Sequence, residues 1–474
     1  MLKLTDPLTQ VIILGFVCFC IPGMFNSLSG SGSYGLDPKE SDVGNNAGTT
    51  YSIVFAFSSL FAGTLFNIFG HRLLLVIGGL TYVLYIGSFL AYHHIQSMTF
   101  IWISSICLGL GAGWLWTAQG AIMMGYPEEN DKGKYFSIFW GIFNLGAVIG
   151  NFIPVGLAWN DPTASGASDG AYIAYMVIMV VGSFLSLLLL PASKIFRKDG
   201  SSVTVIKYSS PITELKSVFA LFKDWRMLAL FPMSFASNWF YTYQFTYNSL
   251  NFTVRTRSLN SAIYWLAQIF ASVLFGAFLD RHKWSRTTRA RYGIILLTAV
   301  LIAVWIGGLI NQTTFGPRGY ITDATGTAIK DPADYHMIDA TTKAYVGPFF
   351  LYFFYGVSDA MYQGYAYWLL GALTNDPTVA GRYAGFYKFA QNIGSCIAPW
   401  VQMSAIGIAP HEGYNTIHSR GRGMYEAVIC VILVFLGIVG AFPVAFKAVK
   451  EHTVDEVDNV VSEKQEAGFE DAKV

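Results

Sequence analysis

Apolar runs long enough to cross a hydrocarbon core of about 30 Å recur about twelve times along this chain, and nothing else in it narrows the fold as much. They centre on Phe16, Phe57, Ile86, Gly109, Ala147, Val180, Met233, Ile269, Ala303, Phe354, Ala398 and Leu436. In hydrocarbon a segment must satisfy its own backbone hydrogen bonds, so runs of this length are read as helices. Only 12% of the 474 residues are charged and 53% are hydrophobic, against about 25% charged in a soluble domain. An all-α polytopic membrane protein is expected, with the lipid bilayer as its solvent.

The basic residues set the orientation. With the amino terminus in the cytosol, the inner loops collect Arg72, Lys132, Lys134, the 194–226 segment, the 281–291 segment, Arg382 and the tail. That puts about 21 of the 30 Lys and Arg inside and about 8 outside, as the positive-inside rule expects, with both termini cytosolic. The first run, residues 10–28, follows only Lys3 and holds Asn26, so it reads as a retained helix and not a cleaved signal. Two Asn-x-Thr sequons, 251–253 and 311–313, fall on outer loops in this arrangement. Residues 193–226 form a polar, basic linker that divides the chain into 1–192 and 227–446, six spans each. Residues 312–342 make one long outer loop whose Gly, Asp, Thr and Pro content points to irregular structure or a short hairpin. The acidic tail, 447–474, lacks apolar runs and is expected to be disordered.

Basic residues scattered over short loops do not make a nucleic-acid surface. The five cysteines all sit inside apolar runs, where packing thiols are the ordinary case. Neither the histidines nor the glycine clusters show metal or phosphate-loop spacing, and residues 30–35 match a dinucleotide pattern without a preceding strand. No cofactor is expected.

Two opposite charges, Asp359 and Lys388, lie deep in the apolar stretch 355–399. A charge at mid-bilayer costs about 2.5–3.5 kcal/mol on insertion scales, so such residues face a bundle interior or a wet cavity. At helical spacing Tyr352, Tyr355, Asp359, Tyr362 and Gln363 share one face. Asp359 either binds a proton or a cationic group, or it neutralises Lys388. Lys388 lies about six residues from the expected boundary, some 9 Å of helix, which also allows it to snorkel to the interface. On an earlier run Ser237, Tyr241, Gln244 and Asn248 recur at the same helical spacing. The bland alternative for each amide is an interhelical hydrogen bond of about 0.6 kcal/mol.

The two halves repeat. Gly63-Thr-Leu-Phe-Asn67-Ile-Phe-Gly70-His-Arg72 follows the second span, and Gly276-Ala-Phe-Leu-Asp280-Arg281 follows the eighth. Lys132-Gly-Lys-Tyr135 with Asn144-Leu-Gly146 matches Ala380-Gly-Arg-Tyr383 with Asn392-Ile-Gly394 at identical internal spacing. At these residues the chain resembles the major facilitator superfamily, whose loop after the second span carries a Gly-x-Leu-x-Asp-Arg-x-Gly-Arg-Arg pattern. Gly63, Leu65, Gly70 and Arg72 fit it and Asn67 replaces its acid; the second copy keeps Gly276, Asp280 and Arg281 and lacks the later glycine. More narrowly, Trp116-Thr-Ala-Gln119-Gly120, Tyr126-Pro127 and Phe139-Trp140-Gly141-Ile-Phe143-Asn144-Leu-Gly146 resemble fungal members of the Unc-ninety-three-like branch.

The resemblance implies a major-facilitator-like 12-helix bundle of two six-helix halves, with a gating loop that holds neighbouring helix ends together. It also implies a central cavity lined by the first, fourth, seventh and tenth spans. Asn26, Trp116, Gln119, Ser237, Tyr241, Gln244, Asn248, Tyr355, Asp359 and Gln363 would then converge there. The function expected is secondary transport of a small solute, not identified by the sequence, with protons as a candidate coupling ion. The rival, suggested by animal relatives of that branch, is a non-transporting regulator or trafficking partner of a channel or receptor. No nucleophile, base and orienter fall at usable spacing, so an enzyme is not expected.

Overall fold

A computed structural model describes residues 3–30, 34, 36, 41–128, 131–158, 168–196, 211–315, 321–322, 328–329, 338–403 and 419–452. Its helices are α1 (Pro7–Cys18), α2 (Met24–Gly30), α3 (Ser41–Ile95), α4 (Met98–Gly125), α5 (Lys132–Ala158), α6 (Asp169–Leu185) and α7 (Pro211–Ala220). The second half supplies α8 (Trp225–Ala236), α9 (Trp239–Asn251), α10 (Val254–Leu279), α11 (Arg286–Phe315), α12 (Val346–Ala372), α13 (Pro377–Met403) and α14 (Ser419–Pro443). Pro22 separates α1 from α2. It has no N–H and its ring crowds the carbonyl four residues back, so the chain widens into a π turn over Phe19–Gly23. Unbroken, α3 would run roughly 80 Å at 1.5 Å per residue. Gly70 turns it with φ 75° and ψ 166°, a conformation open to glycine alone, and makes two passes of it. Turn residues 237–238 break α8 from α9 within one pass. Among the described residues this gives twelve helical passes, six on each side of the linker. Eight helical stretches are apolar enough to cross a membrane by length and composition, α3 counting once. The pass α8–α9 is absent from that group because the break at residues 237–238 leaves two short helices, and α12 and α13 because polar and charged residues dilute them.

The exterior carries large exposed apolar side chains, among them Leu274, Val439, Ile310, Phe184 and Trp400, as a lipid-immersed bundle requires. The halves meet along two matching seams, α3 on α13 and α10 on α5. Small residues let the backbones touch there. A Cβ on Gly385 would stand 2.4 Å from the Ser59 carbonyl oxygen, one on Gly276 would stand 2.6 Å from that of Gly133, and Gly63 rests on the backbone of Gly381 and Arg382. The seams obey the sequence repeat. Gly133 and Gly381 are repeat partners, as are Asn144 and Asn392, whose amides donate to the carbonyls of Trp140 and Lys388 four residues back, each at 2.8 Å.

Helix ends are exchanged between halves at the linker end of the bundle. Asp280, just past α10, accepts from the backbone N–H of Gly133 at 2.9 Å and from that of Lys134, capping α5. Burial pushes its carboxyl up to about 6, and the two N–H donors pull the other way. Lys132 returns the favour at the carbonyl end of α12, donating to Gly371, to Thr374 at 2.8 Å and to the Asn375 side chain. In the first copy of the motif Arg72 donates to the Leu189 carbonyl within its own half, while Arg281 lies over the Trp284 ring at 4.6 Å. Phe196 donates to the Thr5 carbonyl and the Arg286 N–H to the Glu451 carboxylate, so both terminal segments lie at this end.

The two sequons do not sit on loops. Asn251 ends α9, 8% exposed and bonded to the Tyr247 carbonyl; Asn311 lies inside α11, 7% exposed. Neither side chain is free to carry a glycan, so the sequons say nothing about sidedness. Helix α11 also takes up the start of the expected outer loop, and Ile321–Thr322 pairs with Ala328–Ile329 as a short hairpin. Residues 197–210 of the linker, 31–33, 35 and the tail 453–474 lie outside the described residues.

The seam makes a simple test. Gly385→Ala must push a methyl into the Ser59 carbonyl and should cost about 1–3 kcal/mol, read as a lower unfolding temperature of the purified protein. Gly347→Ala, which meets nothing within 4 Å, is the control and should leave that temperature unchanged.

Candidate functional site

Asp359 projects from the middle of α12, 1% exposed. Its Oδ2 accepts from the Tyr241 hydroxyl at 2.6 Å, Gln268 Nε2 at 2.9 Å and the Tyr264 hydroxyl at 3.0 Å, while Oδ1 accepts from Gln363 Nε2 at 2.7 Å. A carboxylate has about four lone-pair sites, and here four donors occupy them. These donors come from α9, α10 and α12, so the carboxylate ties three passes of the second half together. Gln268 continues the network, since its Oε1 accepts from Trp140 Nε1 at 2.8 Å. Trp140 belongs to α5, in the other half.

Lys388, on α13, is 5% exposed and does not snorkel. It forms no ion pair with Asp359. Its Nζ donates to Gln391 Oε1 at 2.7 Å and lies 4.3 Å from the centre of the Trp116 ring, with Tyr387 at 5.4 Å and Tyr367 at 5.8 Å. Trp116 is set by a bond from its Nε1 to the Tyr82 hydroxyl at 3.0 Å. The two charges connect through amides. Gln391 Nε2 reaches Ser237 Oγ at 2.8 Å, Asn238 Oδ1 at 3.0 Å, and Gln363 Oε1 and the Tyr387 hydroxyl at 3.2 Å. With two hydrogens for four acceptors, it can hold only some of these at a time.

Of the residues expected to converge, Asp359, Gln363, Tyr241 and Ser237 share one network with Lys388, and Trp116 joins it from the facing half. The others lie elsewhere. Tyr355 packs on Trp305 and crowds Gly308 of α11, and Tyr362 donates to the Val434 carbonyl of α14, so the stripe on α12 fans out instead of lining one wall. Asn248 donates to the Arg257 carbonyl and accepts from Asn260, which accepts in turn from Tyr345. That cluster joins α9 to α10 beside a fork in which Arg255 grips Asp339 at 2.7 and 2.8 Å and holds that carboxyl well below the usual range. Gln119 donates to Met123 Sδ at 3.3 Å, Gln244 is bonded through its backbone carbonyl by Tyr352, and Asn26 is half-buried on α2.

Sequence reasoning missed Trp140, Tyr264, Gln268 and Gln391. Gln391 was within reach of it, one turn from Lys388 on the same face. Trp140 lies within an aromatic motif that hides its polar edge, and Tyr264 and Gln268 recur one turn apart on α10 as a short polar stripe inside an apolar helix. Contacts also reveal a further repeat. Gly120 of α4 lies against Ala384 and Gly364 of α12 against Phe136, so Gln119-Gly120 corresponds to Gln363-Gly364.

Asp359→Asn puts an amide N–H₂ among donors and should cost about 1–3 kcal/mol of stability. Adding Lys388→Met should not restore it, because the lysine is bonded to Gln391 and Trp116 and not to the carboxylate. Thermal unfolding of the single and double variants checks this; full recovery in the double variant would reinstate a direct charge pair.

A family model described as Major Facilitator Superfamily matches residues 11–399. UNC93-like protein 1 of Arabidopsis thaliana is 43% identical over 398 residues, 84% of each chain. An UNC93-like protein of Schizosaccharomyces pombe is 42% identical over 409 residues, 86% of this chain and 78% of that one. Among solved structures, the proton:xylose symporter XylE matches with a TM-score of 0.55 at 12% identity, over 90% of this chain and 94% of its own. The fucose transporter FucP in its outward conformation matches with a TM-score of 0.54 at 13% identity, over 91% and 97%. At such identities the solved structures speak for the fold alone. The chain belongs to the major facilitator superfamily, in its UNC93-like branch.

Proposed function

We propose that this protein is a secondary transporter that moves a small organic solute by alternating access, with Asp359 coupling the movement to protons. The observation that carries the proposal is the buried network in which Asp359 and Lys388 of one half meet Trp140 and Trp116 of the other. A solute held between the halves would contact both. Protonating Asp359 turns an acceptor of four bonds into a donor, so at least one of its partners must turn away. Because Gln268 is one of those partners and also accepts from Trp140, the change would be felt across the seam. Opening the linker end would further require Asp280 and Lys132 to release the helix ends they cap, and both groups can be solvated once exposed. We place both termini and the linker on the cytosolic side.

A metabolite uptake screen in vesicles containing the purified protein, with and without a pH gradient, tests the proposal. Gradient-driven uptake of at least one solute is expected, lost in Asp359→Asn while gradient-free exchange survives. Absence of flux for every solute would favour the non-transporting partner instead. For sidedness, Lys216→Cys should resist an impermeant thiol reagent applied to intact cells, and Lys343→Cys should react; the reverse pattern would invert the topology.

A further inference from the structure

An ammonium carries three N–H donors, and among the described residues Lys388 has a single hydrogen-bond acceptor, Gln391 Oε1 at 2.7 Å. Among the described residues no carboxylate stands within ion-pair reach of it, although it is 5% exposed. Beyond that amide it faces aromatic rings and the Cys18 thiol of α1, and the nearest ring belongs to the other half: Trp116 at 4.3 Å. Tyr367, with its ring 5.8 Å from Nζ, is fully buried, and its hydroxyl has no partner among the described residues. Burying donors without acceptors is costly, and the cost is removed by whatever supplies the missing acceptor. Asp359 is in the opposite condition. Four donors already fill its acceptor sites, so it has nothing to offer a cationic solute without first losing a protein bond.

We propose that Lys388 is the anion-binding residue of the solute site, and that the solute is a small organic anion, a carboxylate on an apolar or aromatic body. The carboxylate accepts from Lys388 Nζ and the Tyr367 hydroxyl, and the body lies against Trp116. Because Trp116 comes from α4 and Lys388 from α13, the solute touches both halves and its departure uncouples them. The proposal deepens the transport reading and rests on it for the use to which binding is put. Position favours it as well. The repeat partner of Lys388 is Trp140, which spends its one donor on Gln268, so within this repeat pair the donors left over are those of Lys388.

The test is binding to the purified full chain in lipid nanodiscs, measured by calorimetry and by the shift in unfolding temperature. The probes are benzoate, phenylacetate and succinate, each beside its amide, together with benzylammonium. At least one carboxylate should bind, with its amide about ten-fold weaker or worse. Lys388→Met should lose that binding by a similar factor, Lys388→Arg should retain it, and Tyr367→Phe should weaken it several-fold. If Lys388→Met does not fold, Lys388→Gln and the acid-to-amide ratio on the unaltered protein decide. Equal binding of acids and amides, preference for benzylammonium, no carboxylate binding at all, or unchanged binding in the lysine variants would each overturn the proposal. Vesicle flux separates it from the transport reading: carboxylate binding without flux keeps the anion site and ends transport, whereas flux of a neutral or cationic solute indifferent to carboxylates keeps transport and ends the anion site.

Discussion

Backbone contact between the halves is the constraint from which the rest of this structure follows. Gly385 against the Ser59 carbonyl and Gly120 against Ala384 bring α13 against α3 and α4 at a distance that no larger residue would allow. One turn before Gly120 stands Trp116, and one turn beyond Ala384 stands Lys388. Their cation–π contact is therefore a product of glycine packing, not of any attraction strong enough to assemble the interface. The second seam works the same way, since Gly276 on Gly133 sets α10 beside α5 and leaves Trp140 facing Gln268.

The halves share a backbone plan and differ in charge. Asn144 and Asn392 make the same backward bond, and Gly133 and Gly381 occupy the same kind of contact. At the position that meets the site, however, the first half offers Trp140 where the second offers Lys388. Charges thus reside on one side of the interface and neutral rings on the other. A cation–π contact is worth about 0.5–2 kcal/mol, and a neutral hydrogen bond about the same or less. Such a surface can be peeled apart within the energies available to a rocking motion, whereas an ion pair split across it would leave two orphaned charges.

Helix ends supply the complementary device. Each of Asp280 and Lys132 satisfies the terminal groups of a helix in the opposite half, where the backbone dipoles favour its sign of charge. Water can replace these bonds when the end opens, so closure is favoured without being irreversible.

Periodicity and the internal repeat determined much of the molecule in advance: the helical passes, the matched glycine seams and the burial of Asp359. These are legible because lipid forces long apolar runs and because repeats preserve spacing. Which face of a helix meets which neighbour is another matter. Helical spacing put Tyr355, Tyr362 and Asp359 on one stripe, yet crossing angles and the glycines of neighbouring helices sent the tyrosines to α11 and α14 and left the carboxylate inside. The sequons looked like loop features because they fall between the centres of successive apolar runs, and only packing revealed Asn251 and Asn311 as buried helix residues. Opposite charges on adjacent helices invited a direct pair. The tertiary structure decided otherwise, filling the carboxylate with four donors from three helices and giving the lysine one amide and a tryptophan ring, because an amide one turn along each helix and partners brought in from distant segments reached each charge first.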